Sequence, residues 1–215
     1  MTGHDDFAFE PIPGLPAEPP KGEVILWQGS PDALTLALKA YGLGWVAAYF
    51  AVLILWRAYV GFGLAGAEGA LAYGLPYVGL AAIGCGLIWL LAFLQARAAV
   101  YTITSSRVAM RIGAALSVTL NLPFTQIGSA SLSLGRKGTG TIAMDTLGET
   151  RLSYMILWPH LRPWAMARTR PALRCIPDAE RVSKILAEAA ETRVSQPRIS
   201  RAGGTAASAS VVAAE

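Results

Sequence analysis

The chain has 215 residues, 53% of them hydrophobic and 15% charged, with a mean hydropathy of +0.44. That balance excludes an ordinary soluble domain and fits one membrane unit plus one domain of about 100 residues. The net charge of +4 hides an asymmetry: residues 1–39 hold six acids and two bases, residues 97–215 hold fifteen bases and seven acids, and only Arg57 and Glu68 lie between.

Residues 1–23 contain Pro11, Pro13, Pro16, Pro19 and Pro20, which forbid a regular helix and predict an extended acidic arm. Glu23–Asp32 follows, with an apolar centre suited to a short strand or to a membrane interface. Asp32 is placed to cap a helical lead-in over Ala33–Lys39. The first apolar run begins about forty residues in and has no basic segment before it, so no signal peptide is expected.

From Ala40 to Ala96 the chain is almost free of charge. A bilayer core about 30 Å thick needs roughly twenty apolar residues in a helix. Two spans are therefore expected, at residues 40–59 and 73–95, joined by a Gly-rich turn. Small residues such as Ala47, Ala48, Gly79 and Gly84 permit close packing of the two helices as a hairpin. The loop near Gly61–Ala72 carries no Lys or Arg, whereas Lys39 precedes the first span and Arg97, Arg107 and Arg111 follow the second. By the positive-inside rule both termini face the cytoplasm. Arg57 lies near the outer end of the first span, where its stem can reach the headgroups.

After Arg97 the apolar period falls to two. Tyr101 and Ile103, then Val108, Met110 and Ile112, then Leu116, Val118, Leu120 and Leu122 alternate with small or polar residues. Further strands are predicted at Ala130–Leu134, Thr141–Met144 and Leu152–Ile156. Short alternating strands at this spacing predict an antiparallel barrel or sandwich with one wet face. Leu157–Trp164 holds two prolines and ends the ladder. Arg162, Arg168, Arg170 and Arg174 then form a basic run suited to anionic lipid or to an acidic protein face. Pro177 opens a helix whose Val182, Ile185, Leu186 and Ala189 make one apolar stripe. A tail over 193–215, rich in Ser, Ala and Gly, is expected to be disordered.

Little in the chain points to catalysis. Gly135–Gly140 lies between two strands rather than before a helix, so it reads as a hairpin turn and not as a phosphate cradle. Two histidines, one of them in the arm, make neither a catalytic set nor a metal site. Cys85 and Cys175 give no disulfide framework or metal spacing, and a reducing compartment is compatible. No enzyme activity, metal or cofactor is expected, and no nucleic-acid recognition fold is visible.

The segment Ala99–Val108, after two spans, resembles the first hairpin of bacterial pleckstrin-homology (PH)-like domains, which often reads Y-x-I-T-x-x-R. Gly14-Leu15-Pro16, Gly22–Asp32, Leu157–Trp164 and Pro171–Asp178 together are similar to the PuhB family of photosynthetic complex assembly proteins of purple bacteria. The resemblance covers roughly residues 10–190. It implies a PH-like domain over 97–192, with two near-orthogonal antiparallel sheets closed at one end by a C-terminal helix. It further implies a non-catalytic factor of the photosynthetic intracytoplasmic membrane that binds reaction-centre subunits and light-harvesting 1 polypeptides. Segment Ser153–Trp164 is too short and too interrupted for a third span, so two spans are expected. Aromatic and Arg residues are the usual interface anchors, which selects Trp27, Trp158, His160, Arg162, Trp164, Arg168, Arg170 and Arg174 as partner-binding residues. Binding of anionic lipid headgroups, or handling of bacteriochlorophyll through His160 or a span residue, are the rival readings. A homo-oligomer is compatible with all three.

Overall fold

A computed structural model of the protein describes residues 14–15, 18–113, 117–135, 138–147, 153–163 and 169–195. The first strand, β1 (Ile25–Gly29), comes from the segment before the apolar region, yet it pairs antiparallel with β2 (Val100–Thr104) beyond it. Trp27 stands opposite Ile103 and Gly29 opposite Tyr101. A PH-like domain over 97–192 leaves this segment out; its ladder makes it an edge strand of the domain's sheet. The whole apolar region is thus inserted between two neighbouring strands.

The lead-in helix α1 (Ala33–Lys39) starts as the sequence predicts, with the Asp32 carboxylate accepting from the Thr35 backbone N–H at 2.8 Å. Next comes α2 (Leu43–Ala98), 56 residues long and broken at Ala65–Gly66, where Gly66 has φ +62° and ψ −142°. Side-chain positions on either side of the break approach each other. A Cβ at Gly74 would sit 3.4 Å from the Ala58 methyl, and one at Gly84 3.4 Å from the Phe50 ring. In a straight helix Phe50 and Gly84 would be about 51 Å apart, so the portions before and after the break lie side by side. Gly61 and Gly69 are both needed at this bend, since a Cβ on either would strike the carbonyl oxygen of the other. Most large side chains of α2, among them Trp45, Leu55, Leu80 and Leu91, face outward. This one helix is long and apolar enough to span a membrane, and little of it is buried within the protein.

The rest is two antiparallel sheets. One runs β1-β2-β3-β4, with β3 (Arg107–Ile112) and β4 (Val118–Pro123); a 3-10 turn over Phe124–Gln126 leads to the other, β5-β6-β7. Its strands are β5 (Ile127–Leu134), β6 (Gly140–Thr146) and β7 (Ala172–Ile176). Alternating apolar residues of both sheets meet in one core with Tyr101, Ile103, Met110, Leu122, Ile142, Met144 and Leu173. Helix α4 (Ala179–Ser195) lays Val182, Leu186 and Ala189 onto that core, with Ile185 packed against it. This is the stripe read from the sequence.

Three expectations are corrected. No strand pairing joins the two sheets among the described residues, so the barrel is not closed. The strand predicted at Leu152–Ile156 is instead a helical turn, α3 (Tyr154–Leu157), as far as it is described; Pro159 follows too closely to let a ladder continue. Strand β7 was hidden inside the basic run. The tail beyond 195 and the loop residues Arg136 and Lys137 lie outside the described residues.

Candidate functional site at the foot of the helical arms

Both ends of α2 meet α1 and β7 at one place. Leu36 of α1, Ala96 of the last α2 turn and Cys175 of β7 form a small second core, flanked by Ala33, Ala40 and Tyr41. The Asp32 N–H donates to the Cys175 carbonyl at 2.8 Å, tying the start of α1 to the end of β7.

Arg174 holds this junction together. All five residues of β7 are buried, Arg174 among them at 6% exposure. One terminal nitrogen donates to the Pro159 carbonyl at 2.9 Å and to that of Leu161 at 3.5 Å; the other donates to the Lys39 carbonyl at 3.0 Å. The Lys39 carbonyl is one of the acceptors that a helix end leaves without an internal partner. Arg174 therefore caps α1 and fixes the 158–161 loop with one planar group, which the fork of five donors on a guanidinium allows.

His160 lies beside it, 1% exposed. Its Nδ1 is 2.5 Å from the Tyr101 hydroxyl, which also accepts from the Arg174 backbone N–H at 3.4 Å. The hydroxyl and Nδ1 thus share a hydrogen bond whose direction follows the imidazole tautomer, and Nε2 finds no partner. Burial and the nearby Arg174 charge push the imidazole down to about 4, so it is neutral at pH 7. Burial likewise drives the Tyr101 phenol well up. His160 is therefore enclosed, with Nδ1 engaged and Nε2 without a protein partner.

Trp158 meets Tyr41, at the base of the arms, edge to face at 4.9 Å between ring centroids, and remains 40% exposed. Met155 and Ile156 of α3 are still more exposed. Arg162 is exposed on the same loop and, with Lys39, lines a cleft of about 990 Å³ between α1 and β5–β6. Leu34, Leu38, Leu132 and Leu134 give that cleft apolar walls.

The eight predicted residues therefore divide. Trp158 and Arg162 present side chains at the foot of the arms; His160 and Arg174 lie next to them but are interior. Arg170 is half-buried and ion-paired with Asp145 at 2.5 Å. Trp27 packs half-buried against the main core from β1. Trp164 and Arg168 lie outside the described residues. The sequence reading missed Tyr101 and the Lys39 carbonyl as partners, and Met155 and Ile156 as surface. One signal was available: a lone Arg within Ala172-Leu173-Arg174-Cys175-Ile176 belongs to an otherwise apolar strand, and such a cation is buried only when its donors are met.

Residues 33–190 match the bacterial PH domain family. The chain is 50% identical over 201 residues to an uncharacterized 23.7 kDa protein in the puhA 5' region of Rhodobacter capsulatus, an alignment covering 93% of this chain and 94% of that protein. No solved structure matches it. With the paired sheets, the terminal helix and this family match together, the chain belongs to the bacterial PH domain family.

Proposed function

We propose that this protein is a membrane-anchored, non-catalytic assembly factor for the bacterial photosynthetic reaction centre–light-harvesting 1 complex. The observation that carries the reading is the 50% identity, nearly end to end, with a protein named for its place in the puhA 5' region. The resemblance of Gly22–Asp32, Leu157–Trp164 and Pro171–Asp178 to the PuhB family agrees with it. In this reading the two portions of α2 cross the bilayer as a hairpin, both termini are cytoplasmic, and the foot of the arms lies at the membrane surface. There Met155, Ile156, Trp158 and Arg162 meet the cytoplasmic faces of the partner polypeptides. Apolar and Arg side chains exposed together suit such contact.

The cleft lined by Lys39 and Arg162 supports a second reading, binding of an anionic lipid headgroup, because cations above apolar walls match an amphiphile. Deleting the gene from a phototrophic host and restoring it separates the two. The assembly reading expects the near-infrared absorbance of the complex to fall several-fold on deletion and to return with the gene. Unchanged accumulation would reject that reading.

A further inference from the structure

Arg57 is the only Lys or Arg between Lys39 and Arg97. Its guanidinium carbon lies 5.3 Å from the ring centroid of Tyr73 and 5.4 Å from that of Tyr77, both beyond the Gly66 break. Its Nε is enclosed and without a hydrogen-bond partner. Among the described residues no ion pair to Arg57 is formed, and Glu68, the one acid of the segment, does not approach within 4 Å. Two cation–π contacts supply about 1–4 kcal/mol together. Arg57 is half-buried within the protein, but in a bilayer its outer side meets hydrocarbon, and withdrawing a guanidinium from water costs at least several kcal/mol. The rings alone do not balance the charge, so the site is incomplete without an anion.

Depth identifies that anion. Helical rise places Arg57 about 21 Å beyond Leu43 and about 14 Å short of Gly66. Trp56, Tyr59, Tyr73 and Tyr77 lie at a similar level, the arrangement of an interfacial aromatic belt. A partner helix would have to bring a carboxylate to this level, whereas the lipid phosphates just above it are within reach of the long Arg57 side chain. We propose that Arg57, Tyr73 and Tyr77 form a binding site for the phosphate of an anionic phospholipid in the leaflet remote from the PH-like domain. The guanidinium offers its terminal nitrogens to two phosphate oxygens, and the rings hold its plane. The proposal rests on the membrane-crossing reading of α2 and is independent of any protein partner.

Native mass spectrometry of the full-length protein, delipidated and titrated with phosphatidylglycerol in detergent, tests it. The wild-type protein is expected to retain one phosphatidylglycerol in preference to phosphatidylcholine. Arg57→Gln should weaken that retention about tenfold or more, equivalent to about 1.4 kcal/mol, while Arg97→Gln leaves it unchanged. Inorganic phosphate should not compete. Equal retention by wild type and Arg57→Gln, or displacement by inorganic phosphate, overturns the proposal. Where Arg57→Gln fails to accumulate, the wild type decides: phosphatidylglycerol must raise its thermal midpoint above that in phosphatidylcholine, and equal midpoints overturn it. Failure of the full-length protein to reconstitute into phosphatidylglycerol-containing nanodiscs, measured separately, would instead count against the membrane-crossing reading.

Discussion

Arg174 is buried at the foot of the arms, so its removal should destabilise the fold itself. Arg174→Ala strips donors from the carbonyls of Pro159, Leu161 and Lys39 and opens a void at the junction. The expected loss is roughly 3 kcal/mol or more, read as a lower thermal midpoint of the detergent-solubilised protein. Arg174→Lys should recover only part, because an ammonium cannot span three acceptors in one plane. His160 gives a pH dependence. Its folded value, about 4, lies below the ordinary 6.5, so the unfolded chain binds the proton more readily. Stability from this group is complete above about pH 6.5 and is lost as pH falls towards 4, by up to about 3 kcal/mol. Carboxylates contribute below pH 5, so the check is the difference between wild type and His160→Phe. The variant should lose stability less steeply between pH 6.5 and 5, and identical slopes would contradict the assignment.

At the scale of elements, the bend in α2 depends on glycine. Gly61→Ile places a branched side chain against the Gly69 carbonyl and should separate the arms, lowering the thermal midpoint, whereas Gly63→Ala, in open space, should be neutral. Strands β2 to β6 were legible because apolar residues alternate with small or polar ones along them, even where burial does not alternate: β2 is buried on both faces and β5 is exposed along nearly its whole length. Strand β7 was not, since it is buried throughout and has no alternation to read. Helix α4 was legible from its stripe, and α1 from its Asp32 cap. The turn α3 was misread because four residues are too few to distinguish the two periods.

For the whole molecule, the pairing of β1 with β2 could not be inferred from local pattern: an edge strand finds its partner across 70 intervening residues. The insertion places both ends of α2 beside β7, so the arms and the PH-like domain share the Arg174 junction rather than being joined by a free linker. Sequence identified the Trp158–Arg162 loop as the region of interest because aromatic and basic residues cluster there. It could not sort that loop into exposed and buried members, since sorting requires the Tyr101 and Lys39 partners from distant parts of the chain. The central claim is that this junction presents Met155, Ile156, Trp158 and Arg162 to photosynthetic polypeptides. Affinity isolation of the tagged full-length protein from mildly solubilised membranes of phototrophically grown cells tests it most directly. Reaction-centre or light-harvesting 1 polypeptides should co-purify with the wild type and be reduced several-fold with Met155→Ser/Trp158→Ser/Arg162→Gln; recovery of neither class with a folded wild-type protein would contradict it.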